Sequence, residues 1–180
     1  MNVSVLIPWR TDHGHRARVF AHVRALWSKL PVQFVVGADY DTESPFNVSR
    51  AFNDAARRAT GDVFVLFGAD QLPDLDAVQA AAAFALENES WAPLFAGTGG
   101  YREIDTDLIL RGADPARYNF SQWAPFCTGI VAVTPRVWND IGGMDERFYG
   151  WGAEDSALRL VLGNLHPSDY EPTDTLRCLW

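Results

Sequence analysis

Three short apolar runs, Val3–Ile7, Gln33–Val36 and Val63–Phe67, are each followed by turn formers and then by a segment whose apolar residues recur at helical spacing. Strand then helix, repeated three times, leaves few architectures open. Parallel strands need a crossover of a dozen or more residues, and each amphipathic segment supplies one. The helical stretches are Arg16–Leu30, with Val19, Val23, Leu26, Trp27 and Leu30 on one face; about Asn47–Ala59, stopped by Gly61; and an Ala-rich stretch from about Asp74 to Glu87. The expected fold class is therefore α/β, a mixed and mainly parallel sheet flanked by helices, in one domain over residues 1–180. At this length a second comfortable core has no room.

Beyond the third helix the pattern weakens. A short strand is expected near Leu94–Ala96 and residues 97–126 read as mostly loop. A further strand follows at Gly129–Val133, then a short helix at Pro135–Ile141 and another at Glu154–Leu162. Trp27 and Trp138 read as core by their helical spacing, whereas Trp9, Trp123 and Trp151 read as loop aromatics.

Ligands of open parallel sheets bind beyond the carboxyl ends of the strands. That rule singles out Pro8-Trp9-Arg10 after the first strand, Asp39 and Asp41 after the second, and Gly68-Ala69-Asp70 after the third. A lone carboxylate after an apolar strand suits a hard cation such as Mn²⁺ or Mg²⁺, which takes oxygen ligands and shares them with substrate phosphates. The same residue also suits a turn before Pro73. The formal charge of −8 comes without a basic block, which excludes a phosphate-backbone tracker and makes nucleic acid an unexpected partner. No stretch reaches the roughly 18 apolar residues of a membrane helix, and the expectation is a cytoplasmic chain. Cys127 and Cys178 are expected as reduced thiols.

The second chemical constellation is Gly142-Gly-Met-Asp-Glu-Arg-Phe-Tyr-Gly150-Trp-Gly-Ala-Glu154-Asp155. Its glycines permit positive φ or close approach of a ligand. Glu154 and Asp155 fall in the first turn of a helix, where the macrodipole favours negative charge. That is good capping, and it also presents two carboxylates and an indole face, the groups a sugar site uses for proton transfer and for covering a pyranose ring.

On these residues the chain resembles an inverting GT-A glycosyltransferase of the broad family 2 kind, and its carboxyl half is similar to the carboxyl-terminal region of β-1,4-galactosyltransferases. Gly150-Trp-Gly-Ala-Glu-Asp155 resembles the Gly-Trp-Gly-Gly-Glu-Asp of that family, Ile7-Pro-Trp-Arg10 its Ile-Pro-Phe-Arg, and Phe46-Asn47 with Asn53 its Phe-Asn…Asn spacing. The resemblance covers roughly residues 2 to 160. It implies a Rossmann-like nucleotide-diphospho-sugar transferase domain, with residues 1–96 as the nucleotide-sugar half and 97–180 as the acceptor and catalytic half. The implied activity is that of a metal-dependent hexosyltransferase using a UDP-sugar donor, Mn²⁺ or Mg²⁺, and a glycan, protein or small-molecule acceptor.

By the same resemblance Pro8, Trp9, Arg10, Asp39, Asp41, Phe46, Asn47, Ala69 and Asp70 would bind the donor, with Asp70 on the metal. Gly129, Trp151, Gly152 and Glu154 would contact sugars, and Asp155 would be the general base. The sequence departs from the family in four places. The Asp-x-Asp is Gly68-Ala69-Asp70, an expected Arg is Val48, and the Glu-Asp-x-Asp continuation ends in Ala157. The family's metal-binding histidine lies nearer the carboxyl end, which leaves His166 as the candidate ligand against a plain loop histidine. His13 and His15 could face a diphosphate, although a solvated helix start fits them better. Two rivals remain: a nucleotidyltransferase, poorly served by a first loop without a glycine pair, and a non-catalytic binding module derived from a transferase.

Overall fold

Burial sorts the first three strands as their sequences do. In the computed structural model, which describes residues 1–124, 129–150 and 152–180 with the backbone alone for 122–124, β1 (Val3–Pro8) and β3 (Val63–Leu66) are buried at every residue. β2 (Gln33–Gly37) begins exposed. The reason is position: the main sheet has the order β2-β1-β3-β7-β4, so β1 and β3 are interior and β2 lies at an edge. β1 pairs in parallel with both β2 and β3. β7 (Val131–Val133) runs antiparallel between β3 and β4 (Trp91–Pro93), which makes the sheet mixed.

Both faces of this sheet are covered, as such buried strands require. On one face α1 (His15–Trp27) and α3 (Leu75–Glu87) lay Val19, Val23, Trp27, Val78, Ala81 and Ala85 against Val3, Val5, Ile7, Val63 and Val65. On the other, α2 (Val48–Ala56), α5 (Pro135–Asp140) and α6 (Glu154–Leu165) bring Phe52, Ala55, Val137, Trp138, Leu158 and Leu162 onto Leu6, Phe64 and Leu66. The alternate residues of β1 and β3 thus feed two cores. Ser4, the polar residue of β1, is buried but satisfied: its Oγ donates to Gln33 Oε1 and accepts from the Gly61 N–H at 2.8 Å. Gly37 is required by close approach, since a β-carbon there would fall 1.8 Å from the Ala51 carbonyl oxygen of α2.

Residues 97–126 are not mostly loop. They contain β5 (Gly97–Gly100), α4 (Glu103–Leu110), a 3₁₀ turn at Pro115–Arg117 and β6 (Ser121–Ala124). β5 joins a second sheet of order β6-β5-β8, in which β8 (Thr175–Cys178) lies parallel to it. A strand reading Gly-Thr-Gly-Gly has no apolar alternation, and its partner comes from the far end of the chain. The strand expected at Leu94–Ala96 falls instead at Trp91–Pro93, and α6 runs one turn past Leu162. Cys178 is buried, and Trp27 and Trp138 are core residues. Among the described residues, no helix is long and apolar enough to cross a membrane.

Candidate functional site

The carboxyl ends of β1, β2 and β3 form two distinct mouths. At the first, Pro8 is buried level with Gly37, and the Trp9 N–H reaches the Gly37 carbonyl at 3.0 Å. Trp9 is a packing residue here, its ring stacked on Phe20 at 4.2 Å between centroids. Arg10 lies over the Phe46 ring at 5.2 Å and spends its guanidinium on the carbonyls of Asp41 (2.9 Å) and Ser44 (3.1 Å). It therefore braces the 41–46 loop from within.

Asp39 is committed too. Its side chain is fully buried, and it accepts from the Asn47 N–H at 2.9 Å and from Arg50 at 2.9 Å. Burial pushes this carboxyl up. The Asn47 N–H, Arg50 and the Asp41 N–H together outweigh that and hold it below the usual range. The structure therefore places Asp39 with its side-chain oxygens engaged by protein donors and its side chain buried. Asp41 is more open, accepting from the Glu43 and Ser44 N–H groups while keeping its side chain 37% exposed.

The second mouth lies beyond β3. Ala69 is buried, and the Asp70 carbonyl accepts from the Leu179 N–H at 2.7 Å, so the strand end is tied down from behind. The Asp70 residue is accessible to solvent, yet the protein packed around its carboxyl pushes it up, with Arg16 pulling the other way. Among the described residues no other side chain hydrogen-bonds this carboxylate. Arg16, which sequence reasoning did not single out, lies with its guanidinium 5.9 Å from the Trp9 ring centre and so stands between the two mouths.

Register brings the second constellation to the same end. β7 is antiparallel to β3, with Val65 opposite Ala132 and Phe64 opposite Val133, so the residues that precede β7 lie at the carboxyl end of β3. Gly129 is among them, and a β-carbon on it would stand 3.0 Å from the Asp155 Cβ. The α6 N-terminus thus packs against the start of β7. The backbone turns into that helix through left-handed positions at Gly150 (φ +76°), Gly152 (φ +114°) and Ala153 (φ +71°). Glu154 accepts from the Gly152 N–H at 3.1 Å, and Asp155 accepts from the Ser156 N–H at 2.7 Å. Trp151, Phe126, Cys127 and Thr128 lie outside the described residues, as does the side chain of Trp123.

The loop before α6 is held by α2. Asn47 caps α2 by accepting from the Arg50 N–H and donates to the Glu146 carbonyl at 2.8 Å. Asn53 donates to the Met144 carbonyl and to Glu146 and accepts from the Met144 N–H. Arg50 reaches Glu146 at 3.6 Å and the Tyr149 hydroxyl at 3.1 Å. Sequence reading missed Arg50, Glu146 and Tyr149. A signal existed: an Arg in the first turn of a helix opposes the macrodipole unless carboxylates meet it.

His166 does not join Asp70. It caps the far end of α6, its carbonyl accepts from the Trp91 indole at 2.6 Å, and its ring lies 3.7 Å from Asp140. Eleven residues of helix separate it from Asp155, about 16 Å. Trp91 is level with Val133, itself opposite Phe64, at the other end of β3 from Asp70. His13 is exposed, and His15 is engaged with Trp180 and Arg18. Among the described residues no group of three His, Cys, Asp or Glu could hold a metal ion by itself.

Comparison with known proteins bears on this geometry. The family model described as the N-terminal domain of galactosyltransferase matches residues 109–167. β-1,4-Galactosyltransferase 6 of the rat, Rattus norvegicus, is 26% identical over 176 residues, 95% of this chain and 40% of the relative. The chain thus spans about 40% of the length of that relative. Among solved structures, a mutant Drosophila β-1,4-galactosyltransferase 7 in complex with manganese, UDP-Gal and xylobiose superposes with a TM-score of 0.59 at 15% identity, covering 97% of this chain and 64% of that one. Glucosyl-3-phosphoglycerate synthase of Mycobacterium tuberculosis, in complex with Mn²⁺, UDP and glucosyl-3-phosphoglycerate, superposes with a TM-score of 0.57 at 13% identity, covering 98% and 70%. The chain therefore has the GT-A glycosyltransferase fold, with a galactosyltransferase-like region across residues 109–167.

Proposed function

We propose that this chain transfers a sugar from a UDP-sugar to an acceptor hydroxyl with inversion at the anomeric carbon, using Mn²⁺. The reading rests on one observation: Gly129, packed against Asp155, precedes β7 at the same end of the sheet as Asp70. Two carboxylates there can serve opposite sides of one displacement. Asp155, in the first turn of α6, removes the acceptor proton as the new bond forms. Glu154 holds acceptor hydroxyls, and Gly129 leaves room beside the base.

Asp70 suits a hard divalent cation: it is an accessible oxygen donor that no other described side chain occupies, and diphosphate and water complete such a shell. A cation held there supplies neutralisation of the departing diphosphate. Arg16 adds positive charge between the two mouths, and Asp41 keeps a partly exposed carboxylate toward the nucleotide. The Drosophila and Mycobacterium proteins, each solved with a manganese ion and a uridine nucleotide, support Mn²⁺ and a uridine nucleotide, and the similarly folded Pyrobaculum mannosyltransferase, solved with GDP-mannose and Mn²⁺, supports the metal. The cytoplasmic location expected from the sequence belongs to the same proposal.

Donor turnover is the test. UDP-galactose and UDP-glucose are incubated with the chain, with and without Mn²⁺, and UDP release is followed with and without a glycan acceptor. The proposal requires Mn²⁺-dependent release. A binding module, the rival left by Gly68 standing where the family has the first Asp of its Asp-x-Asp, would show UDP binding in titration calorimetry with no release.

A further inference from the structure

We propose that Arg50 is a positioning residue: through Tyr149 and Glu146 it fixes the loop that leads into α6, and so sets where Asp155 stands. The guanidinium faces four groups from two segments, the stretch after β2 and the loop before α6. Its NH1 lies 2.9 Å from buried Asp39 and 3.8 Å from Asp41 after β2, its Nε lies 3.6 Å from Glu146, and its NH2 donates to the Tyr149 hydroxyl at 3.1 Å. The Tyr149 ring also lies under the guanidinium at 5.9 Å.

The division of labour along the loop is what singles Arg50 out. Asn47 and Asn53 hold its first half, at Met144 and Glu146. Among the described residues, Arg50 supplies the hydrogen bond to the Tyr149 hydroxyl, one residue before the left-handed positions at Gly150, Gly152 and Ala153. Glycines give the chain freedom to swing at that point. The last fixed atom upstream of the swing therefore decides where α6 begins. Arg50 is itself immobilised because Asp39 is buried and saturated, so the first mouth acts as the anchor and the second mouth as the load.

Tyr149→Phe tests this without leaving a buried charge unpaired, since it removes the hydroxyl and keeps the ring. Because the inference rests on the proposed transferase reading, two readouts are needed. Amide hydrogen exchange over residues 147–153 should speed up about 10-fold while α2 and β2 stay as protected as in the parent. Under Mn²⁺ and UDP-sugar, kcat should fall about 10-fold with the donor Kd unchanged, the loss expected from one hydrogen bond to a charged group. Arg50→Lys, which keeps the charge at Asp39 but cannot span all four partners, should give the same loop exchange, and the double variant should add little to either change. Unchanged exchange at 147–153 overturns the inference whatever the activity. Faster exchange with parental kcat overturns it as well, because the loop would then be held without consequence for the base. If the parent itself turns over no donor, the transferase reading fails, and the exchange experiment alone decides whether Arg50 sets the loop.

Discussion

The two mouths of the sheet carry the same residue type to different ends. At β2, Asp39 is buried, accepts from Asn47 and Arg50, and is held below the ordinary carboxylate range despite its burial. At β3, Asp70 is accessible, lacks a hydrogen-bonding side-chain partner among the described residues, and is pushed up. A satisfied carboxylate stabilises the fold and is closed to a ligand. One with no hydrogen-bonding side-chain partner, where the charge of Arg16 only partly offsets the surrounding protein, costs stability and is open to a cation. Position after a strand does not distinguish the two; their partners do.

That contrast can be broken in four ways. Asp155→Asn keeps shape and most hydrogen bonding but cannot accept a proton, so kcat should drop about 10² to 10⁴-fold with donor affinity nearly unchanged. Parental single-turnover transfer would remove Asp155 as the base and make Glu154 the next candidate. Gly129→Ala puts a methyl 3.0 Å from the Asp155 Cβ and must shift α6 by a few tenths of an ångström. A decrease of about 3- to 10-fold in kcat, with a native circular-dichroism spectrum, is expected. Unaltered kinetics would mean that Asp155 needs no exact placement.

The remaining two concern stability and carry opposite signs. A lowered carboxylate contributes stability that is present above its unfolded pKa and lost as pH falls through the folded one; a raised carboxylate instead exacts a cost that is absent in acid and grows as pH climbs from the unfolded value to the folded one. Asp39→Asn should therefore lower Tm by about 5 °C at neutral pH, with the gap closing below the ordinary carboxylate range. Asp70→Asn should raise the Tm of the metal-free chain slightly at neutral pH and leave it unchanged in acid. Thermal melts across that range check both. Shifts of the same sign would erase the distinction between the mouths.

Much of this was legible in the sequence. β1, β2, β3 and their helices follow from apolar spacing, because each buries a continuous face against its neighbour. The Gly150 to Asp155 turn follows from its glycines and first-turn acids. Residues 97–126 were misread because β5 and β8 pair across the length of the chain, and Gly97-Thr-Gly-Gly100 has no apolar pattern to announce a strand. Asp39 gave no sign of its pairing for a related reason. Its partner Arg50 lies a loop and a helix turn away, and nothing in composition says that the pair will meet. His166 was drawn toward the metal by its rarity, whereas the length of α6 carries it to the opposite end of the sheet.

Calorimetric titration of UDP into the parent, Asp70→Asn and Asp39→Asn, each with and without Mn²⁺, tests most directly that the β3 mouth is the metal-dependent donor site. The account predicts that UDP binding to the parent depends on Mn²⁺, that Asp70→Asn abolishes this dependence, and that Asp39→Asn, at a temperature where it is folded, preserves it. Equal Mn²⁺-dependent affinity in the parent and Asp70→Asn, or its loss in Asp39→Asn alone, would contradict it.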